Sequence, residues 1–115
     1  MFEYWAKIDR VVDGDTVDVT FDLGFNLLKR ERVRLQGIDA PETRTRDLEE
    51  KEKGLESKKF LEEWVQEHGP DFIIATEYNA KGKYGRVIGR IYNQHRLQCV
   101  NQLLVEKGLA DIYKK

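Results

Sequence analysis

Asp13-Gly14-Asp15-Thr16-Val17-Asp18-Val19-Thr20-Phe21-Asp22-Leu23 is the stretch that decides the fold class. Val17, Val19, Phe21 and Leu23 alternate with Asp18, Thr20 and Asp22. A period of two places the apolar set on one face of a strand and the polar set on the other. The Asp-Gly-Asp segment breaks that period, and Gly14 can take positive φ, so a turn is expected there. Upstream, Tyr4, Ala6 and Ile8 alternate with Trp5, Lys7 and Asp9 in a run that ends at Val11-Val12. Downstream, a looser stretch from Gly24 to Arg30 leads to a third strand, where Val33 and Leu35 face opposite to Arg32, Arg34 and Gln36. Gly37 interrupts this strand and predicts a bulge that re-aims Ile38-Asp39-Ala40-Pro41-Glu42.

The rest of the chain adds helices and two more strands. Thr43 to Lys53 is almost all charge and reads as a solvated loop or a frayed helix start. Ser57, Phe60, Leu61, Trp64, Val65 and His68 then fall on one helical face, and Gly69-Pro70 ends the helix. Phe72 to Thr76 reads as a short buried strand, Lys81 to Gly85 as a turn and Val87 to Tyr92 as the fifth strand. Asn101 to Lys107, followed by Gly108, fits a second short helix. No repeat or linker appears, so residues 1–115 read as a single domain. The class is α+β. Five strands, with a helix between strands 3 and 4 and a short helix after strand 5, is the order of an OB-type β-barrel, here taken as antiparallel. Alternation alone does not separate this barrel from other small α+β sheets.

Composition narrows the function. The 115 residues carry a formal net charge of −1, with 36% charged residues. A chain of this length suits one domain and buries about 65% of its unfolded surface. Two prolines and nine glycines exclude a collagenous chain, and a lone Cys99 excludes an internal disulfide or a thiolate zinc site. No apolar run approaches a membrane span, and Met1-Phe2-Glu3-Tyr4-Trp5 is no signal peptide. The expectation is a soluble cytoplasmic domain with no membrane association and no obligatory protein partner. Ser57 is the only serine and lies in a charged helical pattern, while His68 marks a helix end and His95 a polar turn. A Ser-His-Asp hydrolase and a histidine metal site are therefore disfavoured. Any chemistry must come from carboxylates and guanidiniums.

Asp15 leaves the first hairpin, Asp39 and Glu42 follow the third strand, Arg34 lies on that strand's polar face and Arg86 opens the fifth. Taken singly, an Asp-Gly-Asp turn is commonly only a hairpin and a strand arginine only a surface residue. Taken together, two aspartates, a backbone carbonyl and waters form a hard, oxygen-only site that suits Ca²⁺ and also Mg²⁺ or Mn²⁺. Two arginines bind a phosphate as planar forks, and a glutamate beside the metal orients or deprotonates water. That combination is a phosphodiester hydrolase.

Val12-Asp13-Gly14-Asp15-Thr16-Val17, Val33 to Thr43, Lys83-Tyr84-Gly85-Arg86, Val100-Asn101 and Gly108-Leu109-Ala110 together resemble the staphylococcal-nuclease-like (thermonuclease) family. The resemblance runs from about Tyr4 to Tyr113. It implies an OB barrel and a Ca²⁺-dependent nuclease that cleaves DNA and/or RNA, with departure of the 5′ oxygen and 3′-phosphate ends. By the same resemblance, Asp15 and Asp39 are carboxylate metal ligands and Ala40 supplies a backbone carbonyl. Glu42 acts on the attacking water, and Arg34 and Arg86 bind the phosphate. Lys83 and Tyr84 lie near the nucleotide's terminal phosphate, and Tyr113 stands in for a tyrosine that packs on the nucleotide.

The chain departs from the staphylococcal enzyme in stopping at Lys114-Lys115, where that enzyme continues into a further helix, and in its near-neutral charge. Tyr78 to Val105 nevertheless carries Lys81, Lys83, Arg86, Arg90 and Arg96 with no carboxylate, a local basic face for nucleic acid. The compact form resembles nuclease domains of bacteria and their phages. The alternative is a catalytically inactive OB-type module that binds nucleic acid or protein. Such a copy is free to lose Asp15, Arg34, Asp39, Glu42 or Arg86, and this chain has all five.

Overall fold

The computed structural model describes residues 2–79 and 86–112, with the side chains of residues 78, 79 and 86 left aside. The alternating segments form β1 (Phe2–Asp13), β2 (Thr16–Asp22) and β3 (Leu28–Leu35). After them come a short β4 (Ile38–Asp39), α1 (Leu48–His68), β5 (Phe72–Asn79), β6 (Arg86–Tyr92), α2 (Val100–Glu106) and β7 (Asp111–Ile112). The five long strands close a barrel in the order β1-β2-β3-β6-β5, and β4 pairs with β7 outside it. This is the five-stranded OB-type α+β fold, with α1 between the third and fourth barrel strands and α2 after the fifth.

Val17, Val19, Phe21, Val33 and Leu35 fill the barrel interior, as their period of two requires, together with Ile74 and Ile91 from β5 and β6. Three local expectations are corrected. The barrel is not wholly antiparallel: β3 and β6 run parallel, with Val33, Arg34 and Leu35 opposite Val87, Ile88 and Gly89. Because α1 and β5 intervene between β3 and β6, that closing contact need not be a hairpin. Gly37 makes no bulge in a barrel strand. It takes φ +80° in a turn after β3, and the bulges lie in β1, between Ile8 and Arg10 and between Val11 and Asp13. There they bend a strand of 12 residues so that one end pairs with β5 and the other with β2. Leu23 is exposed, because β2 ends at Asp22, whose carboxylate accepts the Gly24 N–H at 2.9 Å as the chain turns.

Of the two readings for the charged stretch, its first part is a loop and its second part is helix. Asp47 caps α1, its carboxylate accepting from the amides of Glu49 at 3.0 Å and Glu50 at 3.4 Å, and both glutamates complement the helix dipole. Gly54, Ser57, Leu61 and Trp64 form the buried stripe of α1. Trp64 stacks on Phe72 at 5.4 Å between ring centres, and its Nε1–H donates to Gln98 at 3.1 Å. His68 is the last residue of α1, and His95 lies exposed in the turn after β6. Asn101 of α2 is buried, and its amide donates to the Gln36 and Gly89 carbonyls, each at 3.0 Å, and accepts from the Ile91 N–H at 3.1 Å. One side chain thus pins α2 to β6 and to the turn that leads into β4.

Candidate active site

The Asp13-Gly14-Asp15 turn joins β1 to β2, and the Gln36-Gly37 turn joins β3 to β4. Both open at the same end of the barrel. The Asp15 carbonyl accepts the Leu35 N–H at 2.7 Å, so the turn is fastened to the end of β3. Between the two turns lies a cleft of about 1060 Å³, lined by residues that include Arg10, Asp13, Asp15, Arg34, Asp39, Ala40, Glu42 and Arg44.

Arg34 lines it from β3. One guanidinium nitrogen lies 3.1 Å from Asp15 Oδ2 and the other 3.3 Å from Asp39 Oδ1. A single planar cation therefore bridges two carboxylates that are 24 positions apart in sequence (39 − 15). Asp15 is 9% exposed and its other contacts fix its orientation. Oδ1 accepts from the Thr16 hydroxyl at 2.9 Å and Oδ2 from the Ala40 N–H at 3.0 Å. Asp39 is exposed, carried by a strand that pairs with β7, where Asp39 lies opposite Asp111. Glu42 is also exposed and faces the cleft, with Pro41 fixing the backbone just before it.

The structure thus brings together Asp15, Arg34, Asp39, Ala40 and Glu42. The guanidinium of Arg34 engages Asp15 and Asp39. Arg86 opens β6 beside Val87, which lines the cleft and lies opposite Val33 in the parallel ladder. Its side chain, and Lys83, Tyr84 and Tyr113, lie outside the described residues, as does the Lys81–Gly85 turn. Of the basic run, Arg90 is exposed, whereas Arg96 forms an ion pair with Glu3 of β1.

Sequence reading passed over three contributors. The Thr43 hydroxyl donates to Asp13 at 2.6 Å and ties the segment after Glu42 back to the first turn. Gly54 of α1 packs directly on the Pro41-Glu42 backbone, and Ser57 on Gly14. Helical spacing from Ser57 to His68 marked a buried face but not what it is buried against. At the cleft's edge, Arg32 grips Asp18 across β2 and β3 with bonds of 2.8 and 3.3 Å. That hydrogen bond holds the Asp18 carboxyl below the ordinary aspartate range and pushes Arg32 up.

A closed five-stranded OB-type barrel with aspartates bridged by arginine at one mouth is the class that fold and site define. Residues 32–115 match the family model described as staphylococcal nuclease homologue, and the chain belongs to that family. It is 29% identical over 110 residues to thermonuclease of Staphylococcus hyicus, covering 94% of this chain and 59% of that protein. It is 32% identical over 116 residues to endonuclease YhcR of Bacillus subtilis, covering 96% of this chain but 9% of that protein. It is also 32% identical over 130 residues to uncharacterized protein MJ1439 of Methanocaldococcus jannaschii, covering 96% of this chain and 59% of that one. The chain spans well under two thirds of each. Among the described residues, no helix is long and apolar enough to cross a membrane.

Proposed function

We propose that this chain hydrolyses phosphodiester bonds of DNA and/or RNA, with Ca²⁺ held by Asp15, Asp39 and the Ala40 carbonyl, and leaves 3′-phosphate ends. The observation that carries the reading is Arg34 bridging Asp15 and Asp39 in a cleft that Glu42 also lines. Family membership and relatives named as nucleases support it.

The donors fit a hard cation. They are all oxygen, and two carboxylates within reach of one guanidinium are close to each other. Two carboxylates and one carbonyl are few donors for a Ca²⁺ ion, so waters would complete the shell and affinity should be modest. When bound, Ca²⁺ supplies Lewis-acid polarisation of the phosphoryl oxygen.

The residues themselves do the rest. Arg34, which pairs with Asp15 and Asp39 in this structure, would exchange those contacts for two phosphate oxygens once a cation neutralises the two carboxylates, and its fork then offsets charge that develops on the phosphate. Arg86 is the second such group, while Lys83, Tyr84 and Tyr113 contact the nucleotide. Glu42, exposed in the cleft, takes or orients the proton of the attacking water. The new bond is water oxygen to phosphorus. The bond that breaks is phosphorus to the 5′ oxygen, which leaves with a proton as a hydroxyl.

The test is cleavage of a 5′-labelled single-stranded oligonucleotide by the wild type and Asp39→Asn, followed by phosphatase treatment of the products. The reading predicts products whose mobility changes on phosphatase treatment and at least a hundredfold loss in Asp39→Asn. Nucleic-acid binding without cleavage by the wild type would replace it with the binding-only reading.

A further inference from the structure

Three segments must keep their spacing for the site to work: the Asp13-Gly14-Asp15 turn, the Ala40-Pro41-Glu42 segment and β7, which pairs with β4. One helix touches the first two and the Leu109 carbonyl just ahead of the third. A Cβ placed on Gly54 would lie 2.7 Å from the Glu42 carbonyl oxygen, 2.8 Å from its carbon and 2.8 Å from the Pro41 oxygen. Real side chains do not approach backbone this closely, so α1 meets the Pro41-Glu42 backbone where only hydrogen fits. One turn further, Ser57 is wholly buried, and a Cβ on Gly14 would lie 2.6 Å from the Ser57 Cβ and 3.1 Å from that of Ala40. The single proton of the Ser57 hydroxyl is shared between the Leu109 carbonyl, just ahead of β7, and the Lys53 carbonyl within the helix at 3.1 Å.

Glycine is disfavoured in a helix interior relative to alanine, so local propensity does not account for Gly54. The close approach does. We propose that Gly54 and Ser57 are positioning residues for the reaction: α1 is a clamp whose small side chains set the distance between Asp15 and the Glu42 backbone. The inference rests on the nuclease reading for its kinetic consequence but has a structural consequence of its own. The Ala40 N–H, which bonds to Asp15, joins the two clamped segments and reports their spacing.

The test compares Gly54→Ala with Gly69→Ala in the full chain. Gly69, at the far end of α1, is also tight, its Cβ position 2.9 Å from the Val65 carbonyl oxygen, but it touches neither acid-bearing segment. Displacing a reacting group by about 1 Å costs on the order of a hundredfold in rate. Gly54→Ala is expected to lower kcat at least tenfold with KM within about twofold, and to speed exchange of the Ala40 amide at least tenfold. Gly69→Ala is expected to leave both unchanged. If Gly54→Ala leaves Ala40 exchange and kcat at wild-type values, the clamp is refuted. Should the wild type not cleave, the nuclease reading fails while the exchange comparison still decides the clamp. Should Gly54→Ala not fold, Gly14→Ala and Gly14→Ala/Ser57→Gly replace it. The clamp predicts that removing the Ser57 Cβ restores at least tenfold of the lost amide protection, or the fold itself. No recovery in the double variant contradicts it.

Discussion

Arg34 joins Asp15 and Asp39 with contacts of 3.1 and 3.3 Å, and the proposed reaction asks it to serve both stability and chemistry. Its side chain is 22% exposed and that of Asp15 12%, so the pair is screened less than a surface ion pair. Arg34→Ala is expected to cost about 1–3 kcal/mol of stability, because Asp15 loses a charged partner. Cleavage should fall further than that loss explains, by on the order of 10²–10³-fold, as for removal of a charge-stabilising donor. Urea unfolding beside steady-state rates separates the two effects, and a folded variant with near-normal rates would remove Arg34 from the mechanism. Glu42 is exposed, so its replacement should leave the fold intact. If Glu42 takes the proton, Glu42→Gln should lose the acidic limb of the rate–pH profile along with most of the rate. If it only orients water, part of the rate should remain. Full activity with an unchanged profile would reduce Glu42 to a surface residue.

The elements differ in how much of their role their sequence discloses. The strands β2 and β3 were legible from alternation, since a barrel wall with one dry face demands it. The helix α1 was legible as a helix from Ser57 onward, and Gly69-Pro70 as its end. Its first turns were not, because the capping by Asp47 sits inside a run of charge with no apolar period. Nor was the purpose of Gly54, which depends on a backbone brought beside it from another element. Asn101 is similar: the Val100-Asn101 pair counts toward the resemblance, but nothing local shows that its amide satisfies three backbone groups, two on β6 and one in the turn after β3. Asn101→Ala should destabilise by about 1–3 kcal/mol, measurable by urea unfolding, because buried partners are left unpaired. A smaller loss would mean that water replaces the amide. Between β2 and β3, the Asp18–Arg32 pair sets a pH dependence. Asp18 has its folded value depressed, so its contribution is fully present above its ordinary, unfolded value of 3.8. It is lost as the pH falls through the lower folded value. Asp18→Asn should therefore flatten the acid side of the stability curve by lowering stability at neutral pH, with stability below the folded value little changed. An identical acid limb in the variant would contradict this.

In the whole molecule, the barrel brings the β1–β2 hairpin turn and the turn from β3 into β4 to one mouth, which is why acids distant in sequence share a cleft. The order of strands and helices suggested a closed barrel, but not that β3 and β6 close it in parallel. That contact is made between segments separated by β4, α1 and β5, and pairing direction at such a distance leaves no local periodicity to read. The candidate residues Asp15, Arg34, Asp39 and Glu42 could be named from chemistry and resemblance. Their common cleft, and the helix that spaces them, required the fold. The pairing β4–β7 likewise appears only in three dimensions, because each strand has two residues. Metal-dependent cleavage of nucleic acid in this cleft is tested by incubating single-stranded DNA with the protein in added Ca²⁺ and in excess chelator. Cleavage with Ca²⁺ that stops in chelator and returns when Ca²⁺ is restored is the predicted result. Equal cleavage in both conditions, or none in either, would contradict it.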